Sequence, residues 1–183
     1  ALGFKIMRHD PRKAEIEWYT QFSTLDELLS QADIITLHIP LNDTTRGMCN
    51  AAFFEKMKPG AFFINTAQGD LVVENDLIDA IPRLGPVIID AWSHEPSVNT
   101  RLINLAAIAT PHIAGYSLQG KQIGSSMAVR AVARFMSISE LYDFFPSTDN
   151  MEYQAVKLDI LEKSQGQIAA IMQYNYPIFT DDF

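Results

Sequence analysis

Ala61-Phe62-Phe63-Ile64-Asn65-Thr66-Ala67-Gln68-Gly69 passes in nine residues from an apolar run to a polar turn closed by glycine. A short unbroken apolar run bounded by turn signals reads as a strand buried on both faces, the kind that parallel sheets use. Lys58-Pro59-Gly60 stops the helix predicted before it, whose buried face is Phe53, Phe54 and Met57. Outward from this unit the same alternation recurs. Candidate strands lie at 4–8, 34–37, 87–89 and 107–109, with helical patterns between them. A helix opens at Thr24-Leu25-Asp26-Glu27, capped by Ser23 or Thr24, with Leu25, Leu28 and Leu29 as its apolar stripe. Another runs over about 74–81 and ends at Pro82, and a long one over 118–136 sets Ile123, Met127 and Val132 on one side. Alternating strands and helices predict an α/β fold with a doubly wound parallel sheet, which binds ligands where its strands end.

Composition narrows the function classes. The chain has 183 residues, 48% of them hydrophobic and 20% charged, as an ordinary globular protein has. A formal charge of −8 argues against nucleic acid as a partner, because phosphate neutralisation needs clustered Lys and Arg. No stretch approaches the roughly 20 apolar residues of a membrane span, so no membrane partner is expected. Cys49 is the single cysteine, which excludes an internal disulfide and makes a reducing cytoplasm the default expectation. After Phe135 the pattern shifts. Residues 143–150 read as a linker, 153–160 as a strand and 162–174 as a helix, so the predicted organisation is one domain over 1–138, a linker over 139–152 and the start of a second unit over 153–183.

Four residues follow strand ends and carry chemistry: Gln68, Asp90, Glu95 and His112. Gln68 stands beside Gly69, whose bare backbone lets amides approach a ligand, or simply makes a strand-to-helix turn. Asp90 ends its apolar run, where a carboxylate accepts from a carboxamide or caps the turn. Glu95 and His112 are seventeen positions apart, too far for one helix face, yet they follow consecutive strands, which gives them room to meet at the sheet edge, while a lone histidine is more often structural. A carboxylate beside an imidazole orients the ring and favours its protonated form. His38 and His94 also lie after strands, so a histidine in such a loop is by itself no site. In dinucleotide folds a Gly-rich turn holds the pyrophosphate, and about 20 residues later an acidic side chain takes the ribose hydroxyls. No Gly-x-Gly-x-x-Gly occurs in this sequence, and the layout predicts the strand bearing it ahead of Ala1. Asp10 stands where the acidic residue belongs, or is a turn residue before Pro11.

The runs Leu37-His38-Ile39-Pro40-Leu41, Lys58-Pro59-Gly60-Ala61, Ile64-Asn65-Thr66-Ala67-Gln68-Gly69, Asp90-Ala91-Trp92 with Glu95-Pro96, and Thr110-Pro111-His112-Ile113-Ala114-Gly115 keep one order. Together they resemble the signatures of the D-2-hydroxyacid dehydrogenases over about residues 2–135. Residues 112–121 and the Asp-x-Trp-x-x-Glu-Pro run further resemble the branch whose substrate is a small phosphorylated 2-hydroxy acid. Tyr176-Pro177-Ile178 with Asp181-Asp182 is similar to the opening of that branch's added C-terminal dimerisation domain.

The resemblance implies a Rossmann-like fold lacking its first strand and Gly-rich turn, followed by the start of a small α+β dimerisation domain. It implies NAD as cofactor, no metal, and a homodimer of the full-length protein. His112 would be the acid/base, Glu95 its partner and Gln68 the carboxylate-binding position. Asp10 would take the adenosine ribose and Asp90 the nicotinamide carboxamide. Ile39, Thr66, Ala67, Gln68 and Gly115 would line the cofactor, and Tyr116 would face the substrate phosphate. One residue departs from the family's Asn-x-x-Arg-Gly, since Gln68 stands where that run has a catalytic arginine. A neutral amide clamps a carboxylate less strongly than a guanidinium does. A dehydrogenase for another acid, phosphoglycerate or glycerate, and a catalytically silent nucleotide-binding module are the alternatives.

Overall fold

Each parallel strand in the computed structural model is a short apolar run with a ladder partner. The structure describes residues 3–17, 22–146, 164, 166, 167, 170 and 178–180. They belong to two compact units, one running to His112 and the other beginning at Ile113. In the first, β1 (Ile34–Leu37), β2 (Phe62–Asn65), β3 (Val87–Ile89) and β4 (Ile108–Ala109) form one four-stranded sheet in the order β1-β2-β3-β4. All pairs are parallel, and Leu37, Asn65, Ile89 and Ala109 stand in one register row. The fold is α/β and Rossmann-like, as expected.

Ahead of β1 comes α2 (Leu25–Gln31), and between successive strands come α3 (Ala51–Lys56), α4 (Glu74–Ala80) and α5 (Thr100–Leu105). Each touches the next, so the four form one layer. Thr24 and Glu27 make a capping box on α2, which satisfies two otherwise orphan amides. Ile35, Phe63, Val87, Ile89 and Ala109 bury one sheet face against Leu29, Phe54, Leu77 and Leu102. Phe53, Phe54 and Phe63 meet edge to face, with centroids 5.3 to 6.3 Å apart, and pin α3 to β2. Alternate residues on the other face are less covered, Ile34 at 41% and Phe62 at 37% exposure.

The structure corrects two expectations here. Residues 4–8 are not a strand, and Phe4 and Ile6 are 68% and 71% exposed. An apolar run becomes a strand only where a neighbour accepts its ladder bonds, and among the described residues no ladder reaches this one. It is held instead at its end, where Ser23 N–H donates to Arg8 O at 2.8 Å and the His9 ring meets Ser23 O at 3.0 Å. Asp10 then opens α1 (Pro11–Glu17).

The second correction concerns α6 (Leu118–Phe135), where Ile123, Met127 and Val132 are exposed and the neighbouring positions Gln122, Ser126 and Ala133 are buried. The chain beyond α6 turns back and is tied to it. Arg130 donates to Phe144 O and Asp143 O, and Gln122 to Pro146 O, so 139–146 is anchored chain. The predicted strand 153–160 lies outside the described residues. Most of the predicted helix 162–174 does too, although Gly166, Gln167 and Ala170 are helical and Ser164 and Gln167 cap each other.

Candidate active site

Because the four strands are parallel and share a register row, the residues after Leu37, Asn65, Ile89 and Ala109 emerge along one edge. Every parallel α/β sheet presents its ligand-facing turns there. Asn65, 1% exposed, organises the second turn. Its Oδ1 accepts from Ala67 N–H at 3.1 Å, and its Nδ2 donates to Gln68 O at 3.0 Å and to Ala91 O at 3.5 Å. Gly69 is required, though for the protein's own backbone: a Cβ there would lie 1.9 Å from Trp92 C and 2.3 Å from Ser93 N. The turns after β2 and β3 are thus in direct main-chain contact, and Gln68 stands exposed at their rim. Thr66 and Ala67 are half-buried beside it.

Asp90 begins the third turn and is 2% exposed. Its Oδ1 accepts from the Thr110 hydroxyl at 2.6 Å, and its N–H donates to Asn65 O at 2.9 Å. Charge-assisted hydroxyl bonds of this length are strong. Two residues on, Trp92 Nε1–H donates to Thr110 O at 2.9 Å. Beyond it the chain passes His94, at φ 59°, and reaches Glu95, which precedes a cis proline peptide.

Glu95 and His112 meet. The imidazole Nδ1 lies 3.0 Å from Glu95 Oε1 and 2.9 Å from Oε2, so two residues seventeen positions apart close a loop on this contact. Trp92 N–H also donates to Glu95 Oε1, at 2.9 Å. Burial works against ionisation of Glu95, and nearby Asp90 does too. The His112 bond, the Trp92 N–H and the imidazole charge outweigh them and hold the carboxyl below its ordinary value. An ionised Glu95 makes Nδ1 the protonated ring nitrogen and leaves Nε2 with its lone pair. His112 itself adopts φ 56°, a left-handed conformation that non-glycine residues take where surroundings impose it.

Neither of the other strand-end histidines meets a carboxylate in this way. The His38 ring is 3.1 Å from the Thr36 hydroxyl, and His94 lies with Asp70 and Glu74 in a neighbouring polar cleft of about 500 Å³. Ile39 rests half-buried against the core, leaving its main chain on the edge. Asp10 Oδ1 accepts from Lys13 N–H at 3.0 Å, the geometry of a helix cap. In the second unit Gly115 and Tyr116 are exposed. Lys121 Nζ lies 3.4 Å from the Tyr116 ring centroid, and its hydrogen bond and charge lower the phenol's pKa. Among the described residues no group of His, Cys, Asp and Glu has the geometry to hold a metal, and no helix is long and apolar enough to cross a membrane.

Residues 1–114 match the family model of the D-isomer specific 2-hydroxyacid dehydrogenase NAD binding domain. The chain belongs to that family. Among its D-2-hydroxyacid dehydrogenase relatives, erythronate-4-phosphate dehydrogenase of Bacteroides fragilis is 35% identical over 151 residues, covering 79% of this chain and 43% of the relative. The enzyme of the same name from Shewanella denitrificans is 33% identical over 191 residues, covering 100% of this chain and 50% of the relative. The chain therefore spans about half the length of the curated relatives it matches. In structure it is similar to D-lactate dehydrogenase from Aquifex aeolicus complexed with NAD and lactic acid, with TM-score 0.60 and 27% identity, covering 79% of this chain and 51% of that one.

The shared register of the parallel strands puts the turns carrying Gln68, Asp90, Glu95 and His112 along one edge. Three residues that organise them, Asn65, Trp92 and Thr110, lie inside the same runs and were not singled out from the sequence. Their signal was a polar or amphipathic residue at the end of a buried strand, where an unpartnered polar group would be costly.

Proposed function

We propose that the protein carrying this chain oxidises 4-phospho-D-erythronate at C2 with NAD, giving the 2-oxo acid, as a step in pyridoxal 5′-phosphate synthesis. The carrying observation is the His112–Glu95 pair at the ends of β4 and β3, with Nε2 turned away from the carboxylate that holds Nδ1. The residues fit the nicotinamide half of the cofactor: Asp90 is a buried carboxylate fixed by Thr110, beside main chain that Asn65 keeps in place. NAD, when bound, supplies the hydride acceptor. His112 Nε2 takes the substrate's hydroxyl proton, and Glu95 steadies the charged ring.

Asp90 accepts from the carboxamide. Ile39, Thr66, Ala67, Gln68 and Gly115 line the cofactor. Asp10 takes the adenosine ribose with the oxygen that Lys13 does not hold, which disfavours a 2′-phosphate and hence NADP. Tyr116 faces the substrate phosphate, and Gln68 stands at its carboxylate. In this reading 1–138 is the cofactor domain, 139–152 a linker and 153–183 the start of a dimerisation domain in a cytoplasmic homodimer.

NADH formation from NAD and 4-phospho-D-erythronate, set against D-glycerate, D-lactate and 3-phospho-D-glycerate, tests the assignment. Faster turnover of another acid would move the substrate, and unchanged turnover in His112→Ala would sink the mechanism. Gln68→Arg restores a charged clamp worth roughly 1.5–3 kcal/mol, so kcat/KM should rise about ten- to hundredfold. The exposed neutral amide at Gln68 also favours a second reading, a silent nucleotide-binding module. Tight NAD binding without turnover in both Gln68 and Gln68→Arg forms would establish it.

A further inference from the structure

Trp92 bonds to Glu95 and to the turn that carries His112. Its backbone N–H donates to Glu95 Oε1 at 2.9 Å. Its indole N–H donates at 2.9 Å to Thr110 O, the carbonyl that also accepts His112 N–H at 3.0 Å. The side chain is 5% exposed, and its own main chain is clamped on two sides. Gly69 leaves no room for a Cβ against Trp92 C and O, and Ser93 N–H donates to Glu74 Oε1 at 3.1 Å. One indole therefore ties a rigid loop to the turn that carries His112. That turn needs tying, because a histidine at φ 56° is held there by its surroundings.

We propose that Trp92 is the positioning residue of the pair, its indole N–H holding the Thr110–His112 turn against the Glu95 loop. The inference rests on reading His112 and Glu95 as the proton-moving pair. A phenyl ring at this position fills the apolar site but donates nothing, so the turn relaxes and the imidazole leaves the carboxylate.

Trp92→Phe tests this in the protein without cofactor or substrate, by following the Glu95 carboxyl carbon through a pH titration. The charged groups facing Glu95 are His112, which lowers its pKa, and Asp90, which raises it. Loss of the His112 contact should move the Glu95 titration up toward the ordinary carboxyl value. In turnover the same variant should lose about tenfold in kcat with KM little changed, as expected when an aligned group rather than a binding contact is disturbed. Leu102→Ala is the control. It removes a 1% exposed core side chain that offers no hydrogen bond to lose, and should cost stability without moving Glu95.

An unmoved Glu95 in Trp92→Phe, or an equal movement in Leu102→Ala, overturns the inference. If Trp92→Phe does not fold, Trp18→Phe leaves one of the chain's two indoles. Its N–H should then exchange slowly with solvent, and fast exchange overturns the inference. Unchanged turnover in His112→Ala would remove the catalytic reading alone, since the titration decides the positioning without it.

Discussion

Two aspartates in this chain follow apolar runs, and the structure treats them differently. Asp90 follows β3, is 2% exposed, and is fixed by the Thr110 hydroxyl and by Asn65 O. Asp10 ends residues 4–8, which make no ladder among the described residues, and its carboxylate caps α1. The two sites share a local pattern and differ in neighbours. A strand end holds a functional group rigidly when adjacent strands fix the backbone on both sides, as β2 and β4 do for β3. The arm before α1 has an exposed apolar surface and, among the described residues, is anchored at Ser23.

The sharpest break of this contrast is Gly69→Ala. The new Cβ would lie 1.9 Å from Trp92 C and 2.1 Å from Trp92 O, backbone atoms that cannot swing aside. Stability should fall by about 3 kcal/mol in urea denaturation. Gly124→Ala in α6, where nothing lies within 4 Å of the added Cβ, should instead gain about 1 kcal/mol of helix stability. A neutral Gly69→Ala would show that the two turns are not held by their close approach.

Thr110→Val comes next. It keeps the side-chain shape and removes the 2.6 Å donor from a buried carboxylate, so a loss of about 2 kcal/mol is expected by the same measurement. A change within error would mean that Asp90 is satisfied without Thr110.

The pH dependence of the Glu95 contact is smaller. Its carboxyl is held below the ordinary value, so its stabilising contribution is complete above the ordinary carboxyl range and is lost as pH falls through the lowered folded value. The His112 and Glu95 side chains are 41% and 37% exposed, and solvent screening keeps the effect under about 1 kcal/mol. Glu95→Gln should flatten the acid limb of the stability curve by that amount, and a steeper limb would contradict the assignment. Asp10→Ala is the smallest change. It should cost α1 about 0.5 kcal/mol, visible as faster amide exchange over 12–17 with an unchanged global midpoint. A shifted midpoint would place the arm in the cooperative core and erase the contrast.

Much of this was legible before any coordinates. Apolar runs at 34–37 and 87–89 became β1 and β3 with the same limits, and of the two candidate caps, Ser23 and Thr24, it is Thr24 that caps α2. The run at 61–64 became a strand shifted by one residue, and that at 107–109 shortened to two. Polar residues just beyond such runs, Gln68, Asp90, Glu95 and His112, fell on one edge because parallel strands end together. Ile123, Met127 and Val132 lie on α6 and are exposed, and nine residues put Val132 about 180° round the helix from Ile123, so the three form no single stripe.

Period, caps and turn residues are local, so they placed four of the five candidate strands to within a residue and named the residues at their ends. Contacts between distant residues were decided only in three dimensions. Whether 4–8 found a ladder, whether Glu95 reached His112 across seventeen residues, and whether Gly69 met Trp92 depended on register and on which backbone had room beside which. A window of sequence records what a segment favours, while hydrogen-bond partners and steric fit belong to the assembled chain.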